Sequence, residues 1–257
     1  MTTASAILLA VAMALHPVAG ATESPSERSP APPSAQSISP YWPPLIQRWG
    51  TLIVTYAQEQ GLDPDLVAAV IQVESAGYSL VTSPMGAVGL MQVMPFANRP
   101  PVSQLYQPEV NIRWGTLILA DMLRQADGDL LTGLAAYIGG WNRAGNRMPR
   151  RQATFVLDAY LRAVAVRQGL PAESTEDWVL LVESQANGRK PHFYLVEPGY
   201  QPTSRRVKAT ALDNLWADLH KATSAVVFAY QDEAGAGAIA ITIWVIQPTL
   251  HPALGEV

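Results

Sequence analysis

Glu74 is the residue of this chain whose setting favours acid–base chemistry. It closes the stretch PDLVAAVIQVE, residues 64–74, in which Val67, Val70, Ile71 and Glu74 recur at i, i+3, i+4 and i+7 and so share one helix face. Asp63 as N-cap and Pro64 at the first helical position open that helix, and Ala76-Gly77 ends it, which places Glu74 in the last turn. Two effects raise the pKa of a carboxyl there: an apolar surround disfavours the charged form, and the negative end of the helix dipole repels it. A carboxyl kept protonated near neutral pH is a candidate general acid. A helix-end Glu that simply points to water is the competing reading, and the choice turns on the residues that follow.

Those residues are Ser83-Pro84, Gly86-Ala87, Gly89-Leu90-Met91-Gln92, Met94 and Pro95. The glycines either let backbone approach a ligand closely or punctuate turns. The Gln92 amide needs hydrogen-bond partners, and either a sugar or the loop backbone would serve. By itself Ser83 reads as a turn residue before Pro84, and Met94 as core. Together with Glu74-Ser75, and with nine positions from Glu74 to Ser83, this series resembles the pattern Glu-Ser…Ser…G-A-x-G-L-M-Q-x-M-P of the soluble lytic transglycosylase family. The resemblance continues through Asn111-Ile112, Gly115, Leu119 and Leu134-Ala135-Ala136-Tyr137, and covers about residues 41–165. It implies a lysozyme-like catalytic module related to goose-type lysozyme. It implies Glu74 as the catalytic residue, a Ser83 hydrogen bond to that carboxyl, Gln92 on the substrate, Met94 in the wall of a saccharide groove, and the Tyr137 hydroxyl near Glu74. Ile138 departs from the pattern, which has Asn after the Tyr; Asn142 is a possible substitute.

No Asp or Glu lies between Glu74 and Glu109. Glycoside hydrolysis ordinarily employs two carboxylates. Their scarcity here fits a single-carboxylate reaction, in which an intramolecular nucleophile replaces water. For the family that reaction is non-hydrolytic cleavage of the MurNAc–GlcNAc bond of peptidoglycan to 1,6-anhydro-MurNAc ends. Asp121 or Asp127 folding back would instead support a hydrolytic muramidase, and loss of turnover would leave a non-catalytic peptidoglycan-binding protein.

The elements that position these residues are helical up to about residue 171. A first helix is expected over Tyr41–Gln60 with Leu45, Trp49, Leu52, Ile53 and Tyr56 inward, then residues 64–74, Asn111–Ala126, a helix from an Asp129 cap to about Tyr137, and Thr154–Gln168. Arginines at 143, 147, 150, 151, 162 and 167 face one acid, Asp158; they form a solvated helix face or a basic rim for an acidic substrate. From about residue 172 the period shortens toward strands. Trp178–Glu183 and His192–Glu197 flank Asn187-Gly188, an amphipathic helix is expected over Ser204–Lys221, and Ser224–Tyr230 and Ala238–Gln247 flank a Gly-rich turn. The fold class expected is therefore a mainly α lysozyme-like catalytic domain, 41–171, followed by a small α+β domain, ββαββ, over 172–257. A fragment of residues 41–171 is expected to retain activity, with 172–257 available for the wall or a protein partner.

The 257 residues are 49% hydrophobic and 15% charged with net charge −4, which gives no global support for a nucleic-acid partner. The absence of cysteine excludes disulfides and thiol chemistry, His192, His220 and His251 lack metal spacing, and no cofactor is expected. Residues 1–21 read as a signal peptide, Ala6–Leu15 being shorter than the roughly 20 residues of a spanning helix. An uncleaved N-terminal anchor is the alternative; both place the protein outside the cytoplasm. Residues 22–40, rich in Pro and Ser, read as a disordered tether.

Overall fold

A computed structural model describes residues 36–171, 179–186, 191–208, 212, 223–231 and 238–246. Its centre is α3, Pro64–Ser75, opened as expected by Asp63, whose carboxylate accepts from the Asp65 N–H at 2.9 Å. Every residue from Pro64 to Ile71 is buried, so α3 is wrapped on all sides and only its last turn opens. Ala76, in the left-handed region at φ 51, ends it.

The single helix expected over 41–60 is instead two, α1 (Pro44–Gln47) and α2 (Gly50–Glu59). The break falls at Arg48-Trp49, where the indole turns to donate to the Gly77 carbonyl at 3.0 Å. A short helix α4 (Val102–Leu105) precedes α5 (Pro108–Gln125), which begins earlier than expected because Pro108 suits the first helical position. The expected Asp129 cap forms on α6 (Leu130–Gly139), accepting from the Thr132 N–H at 3.1 Å. α7 (Arg147–Arg167) starts seven residues before the expected Thr154. Its Pro149 sits in the first turn, where no N–H is needed.

The strands β1 (Val179–Ala186), β2 (His192–Glu197), β3 (Thr203–Val207), β4 (Thr223–Gln231) and β5 (Ala238–Ile246) form one antiparallel sheet in the order β3-β2-β1-β5-β4. The ββαββ expectation is corrected at its middle: residues 204–207, expected to open a helix, pair with β2 as part of a third strand. Glu197 anchors that pairing, accepting from the Thr203 hydroxyl at 2.7 Å and lying 3.4 Å from Arg205. The rest of the expected helix, apart from Lys208 and Leu212, lies outside the described residues, as do Asn187-Gly188 and the Gly-rich turn. β5 is interior to the sheet, between β1 and β4.

One face of the sheet, with Leu180, Val182, Tyr194, Val196, Ile241 and Ile243, joins the same apolar core as the helices. The other carries Leu181, Phe193, Leu195 and Val207 against Leu212. The expected signal peptide lies outside the described residues, as does most of the tether. The tether's end departs from expectation: Ile38 and Ser39 are buried, because the Ser39 N–H donates to Asp65 at 2.7 Å. Among the described residues no helix is long and apolar enough to cross a membrane.

Candidate active site

Glu74 projects from the open last turn of α3 and is only partly exposed. Burial alone pushes its carboxyl up to about 7, well above the ordinary glutamate value of 4.5. Among the described residues no cation pulls it back down.

The loop that follows is pinned from three sides. Ser75 Oγ donates to the Leu90 carbonyl at 2.7 Å, tying the end of α3 to the loop. Val88 and Val93 exchange backbone hydrogen bonds, both 3.0 Å, in a tight bridge. Asn111, fully buried on α5, spends its whole amide on this region: Nδ2 donates to the Val88 and Leu105 carbonyls, both at 2.8 Å, and Oδ1 accepts from the Met91 N–H at 2.7 Å. Two glycines make the approach possible. A Cβ at Gly89, which has φ +77, would lie 2.3 Å from Asn111 Nδ2, and one at Gly115 would lie 2.4 Å from Met91 Sδ.

This loop forms one wall of a cleft of about 330 Å³, with Met85, Gln92, Met94 and Phe96. Tyr137, Ile138 and Trp141, from α6 and the turn after it, form the other, and Arg99 and Arg143 supply the cationic groups. Among the described residues no Asp or Glu lines it. Glu74 itself lies outside the lining, yet close enough that its charge adds to burial in holding the Tyr137 hydroxyl well above the usual tyrosine value.

The expected site residues divide accordingly. Gln92, Met94 and Tyr137 share the cleft, and Tyr137 is electrostatically coupled to Glu74. The Tyr137 hydroxyl donates to the Met91 carbonyl at 2.7 Å. Gln92 Nε2 donates to the Gly89 carbonyl at 2.9 Å, the loop-backbone role, which leaves its Oε1 for a ligand. Ser83 differs from the implied carboxyl contact: its hydroxyl accepts from the Ala87 N–H at 3.0 Å across the turn over 83–87, and no hydrogen bond joins it to Glu74. Ile138 contributes apolar wall, and Asn142 is exposed and outside the lining. Asp121 pairs with Arg124 and Gln125 and, like Asp127, does not reach the cleft. The arginine run splits: Arg162 pairs with Asp158, Arg167 with Asp63 and Asp65, and Arg143 alone of them lines the cleft.

Sequence reasoning missed Arg99, Phe96 and Trp141 as cleft residues, and Asn111 as the loop clamp. Two signals were present: Arg99 is the one charged residue between Glu74 and Glu109, and Asn111 is an amide on the inward face of an apolar helix. Among the described residues there is no cluster of side chains suited to a metal ion.

The family model for the transglycosylase SLT domain matches residues 51–154, a span that holds Glu74, the pinned loop and the cleft. A transglycosylase of Enterobacteria phage PRD1 is 45% identical over 100 residues, covering 38% of this chain and 37% of that protein. The endo-type membrane-bound lytic murein transglycosylase A of Klebsiella pneumoniae is 33% identical over 99 residues, covering 32% and 49%. Among solved structures, an inactive mutant of the lytic transglycosylase Slt from Pseudomonas aeruginosa aligns with TM-score 0.43 at 24% identity, over 50% of this chain and 25% of that one. The chain thus spans between about a third and a half of the length of these curated relatives. Over residues 51–154 the chain is similar to the transglycosylase SLT domain.

Proposed function

We propose that this chain is an exported lytic transglycosylase that cleaves the MurNAc–GlcNAc bond of peptidoglycan with Glu74 as its sole general acid and base. The observation that carries this reading is a lone carboxyl, raised to about 7 by burial, beside a cleft that no second carboxylate lines among the described residues. At neutral pH about half of such a group is protonated, so it can both give and take a proton. The protonated Glu74 gives its proton to the glycosidic oxygen as the C1–O bond breaks. The substrate's own N-acetyl oxygen stabilises the cationic C1. The Glu74 carboxylate then takes the proton of the muramic acid 6-hydroxyl as O6 bonds to C1. Glu74 ends as it began, and no water is consumed. Gln92 Oε1 is placed for the N–H or hydroxyl of a sugar, and Met94, Phe96 and Trp141 offer apolar surface to sugar faces.

The relatives' names support the substrate class, and the apolar, carboxylate-poor cleft supports the non-hydrolytic course. Mass spectrometry of the products released from purified peptidoglycan tests both. Fragments ending in 1,6-anhydro-MurNAc, one water lighter than hydrolytic products, are expected. Reducing MurNAc ends would mean a hydrolase, and binding without release would mean a glycan-binding protein.

A further inference from the structure

Two arginines enter the cleft without an acidic partner. Among the described residues neither Arg99 nor Arg143 makes an ion pair, and no carboxylate lines the walls beside them. Arg99 is moreover held in place. Its backbone N–H closes a turn on the Phe96 carbonyl at 2.9 Å, its Nη1 donates to the Met94 carbonyl at 3.2 Å, and its guanidinium lies 4.8 Å from the centre of the Phe96 ring. Pro100-Pro101 then stiffens the chain beyond it. One of its five N–H donors is spent on Met94, which leaves the rest of the fork for a planar anion. Partial burial lowers its pKa from the ordinary arginine value, as expected for a cation in a cleft with no anion beside it. Nor is it the counter-ion of Glu74, whose pKa responds to burial and to no cation.

We propose that Arg99, joined by Arg143 from the α6 side, forms a carboxylate-binding subsite for the acidic substituent on O3 of muramic acid. The proposal rests on the reading of the substrate given above. In peptide-stripped strands the acid is the free lactyl carboxylate. In native strands that group is an amide, and the carboxylates are those of the stem peptide. GlcNAc carries no such substituent, so the subsite fixes which way round a strand lies across Glu74.

The test uses the full chain carrying Glu74→Gln, which binds without turnover, and three ligands: neutral GlcNAc oligomers, peptide-stripped strand fragments and peptide-bearing fragments. The readout is the ratio of affinity for each charged ligand to that for the neutral one. A ratio of about ten is expected, the scale of one charge-assisted contact, and the charged ligand that shows it identifies the carboxylate bound. Adding Arg99→Gln should bring the ratio toward one, Arg99→Lys should keep part of it, Arg143→Gln should lower it, and salt should reduce it. Melting curves separate a lost subsite from a loosened loop; if Arg99→Gln melts early, Arg143→Gln and the salt titration carry the result. A ratio near one before the arginines are changed, or one that survives Arg99→Gln in a folded chain, overturns the proposal. Binding of no glycan at all overturns the proposed function with it.

Discussion

At the scale of single residues, the site sets stability against chemistry. A carboxyl whose pKa is raised in the folded chain is tolerated while protonated and opposes folding once ionised. The rise from 4.5 to about 7 corresponds to at most about 3 kcal/mol, absent below the unfolded value and fully present above the folded one. Glu74→Gln should therefore abolish cleavage, leave stability nearly unchanged near pH 4, and raise it by up to about 3 kcal/mol near pH 8. Denaturant titrations at the two pH values check this; equal stability of both chains at both pH values would remove the buried acid from the account. The same value sets the activity profile: kcat/KM should fall as pH rises through about 7, when the acid form is lost. Asn111 is the structural counterpart. Its three hydrogen bonds satisfy two carbonyls and one N–H beneath the loop, and Asn111→Ala would orphan all three. A loss of about 3 kcal/mol or more is expected, with activity falling further than stability alone explains, measured by urea titration beside product release at a temperature where the variant is fully folded. The raised pKa of Glu74 was legible because its helix announced both ends. The placing of Ser83 was not, because no spacing reveals that its hydroxyl lies against the Ala87 N–H.

Elements bring these residues together, and a buried ionic cluster holds the start of the central helix. Arg167, at the end of α7, lies 2.7 Å from Asp63 and 2.8 Å from Asp65. The Tyr160 hydroxyl donates to Asp63 at 2.9 Å and the Trp42 indole to Asp65 at 2.7 Å. The cap of α3 is thus also the anchor of α7 and of the segment before α1. Removing the one cation leaves two buried carboxylates uncompensated, so Arg167→Met should destabilise the chain by about 3–5 kcal/mol. Burial already raises the Asp65 pKa, and without Arg167 that carboxyl has still more to gain from a proton. The variant should therefore recover part of its lost stability as pH falls from 7 toward 4; a deficit independent of pH would mean that lost packing, not charge, is responsible. Periodicity and capping residues predicted α3, α5 and α6 to within a few residues. They failed at Trp49, whose indole leaves the helix to reach Gly77, and at the start of α7, where Pro149 is an early helical residue. Both outcomes depend on partners distant in sequence.

At the scale of the whole molecule, the change of period near residue 172 correctly separates helices from strands but does not describe two independent bodies. The strand residues Leu180–Val182 are buried in succession, as in a strand covered on both faces, and one of those faces is the helical unit. Backbone joins the two directly. The Asp63 N–H donates to the Val227 carbonyl at 2.8 Å, the Ala229 N–H to the Gly61 carbonyl at 3.0 Å, and the Leu131 N–H to the Tyr194 hydroxyl at 2.9 Å. These groups lie just before α3 and in the first turn of α6, the helices that carry Glu74 and Tyr137. At Gly61 the approach is so close that a Cβ would lie 2.2 Å from the Ala229 carbonyl oxygen. The expectation that residues 41–171 form an active fragment is accordingly replaced by its opposite. Cutting at 171 strips the helical core of Tyr194, Val196, Val227, Phe228 and Ile243, takes the Val227 carbonyl from the Asp63 N–H, and removes Ile38 and Ser39 as well. With exposed apolar side chains costing roughly 1.5–3 kcal/mol each, the loss is comparable to the whole stability of a domain. The fragment should be aggregation-prone and silent on peptidoglycan, whereas the full chain should unfold in one cooperative thermal transition. A fragment that melts cooperatively and keeps the full chain's product release would show that the sheet is a passenger, and that the helices alone hold Glu74 against its cleft.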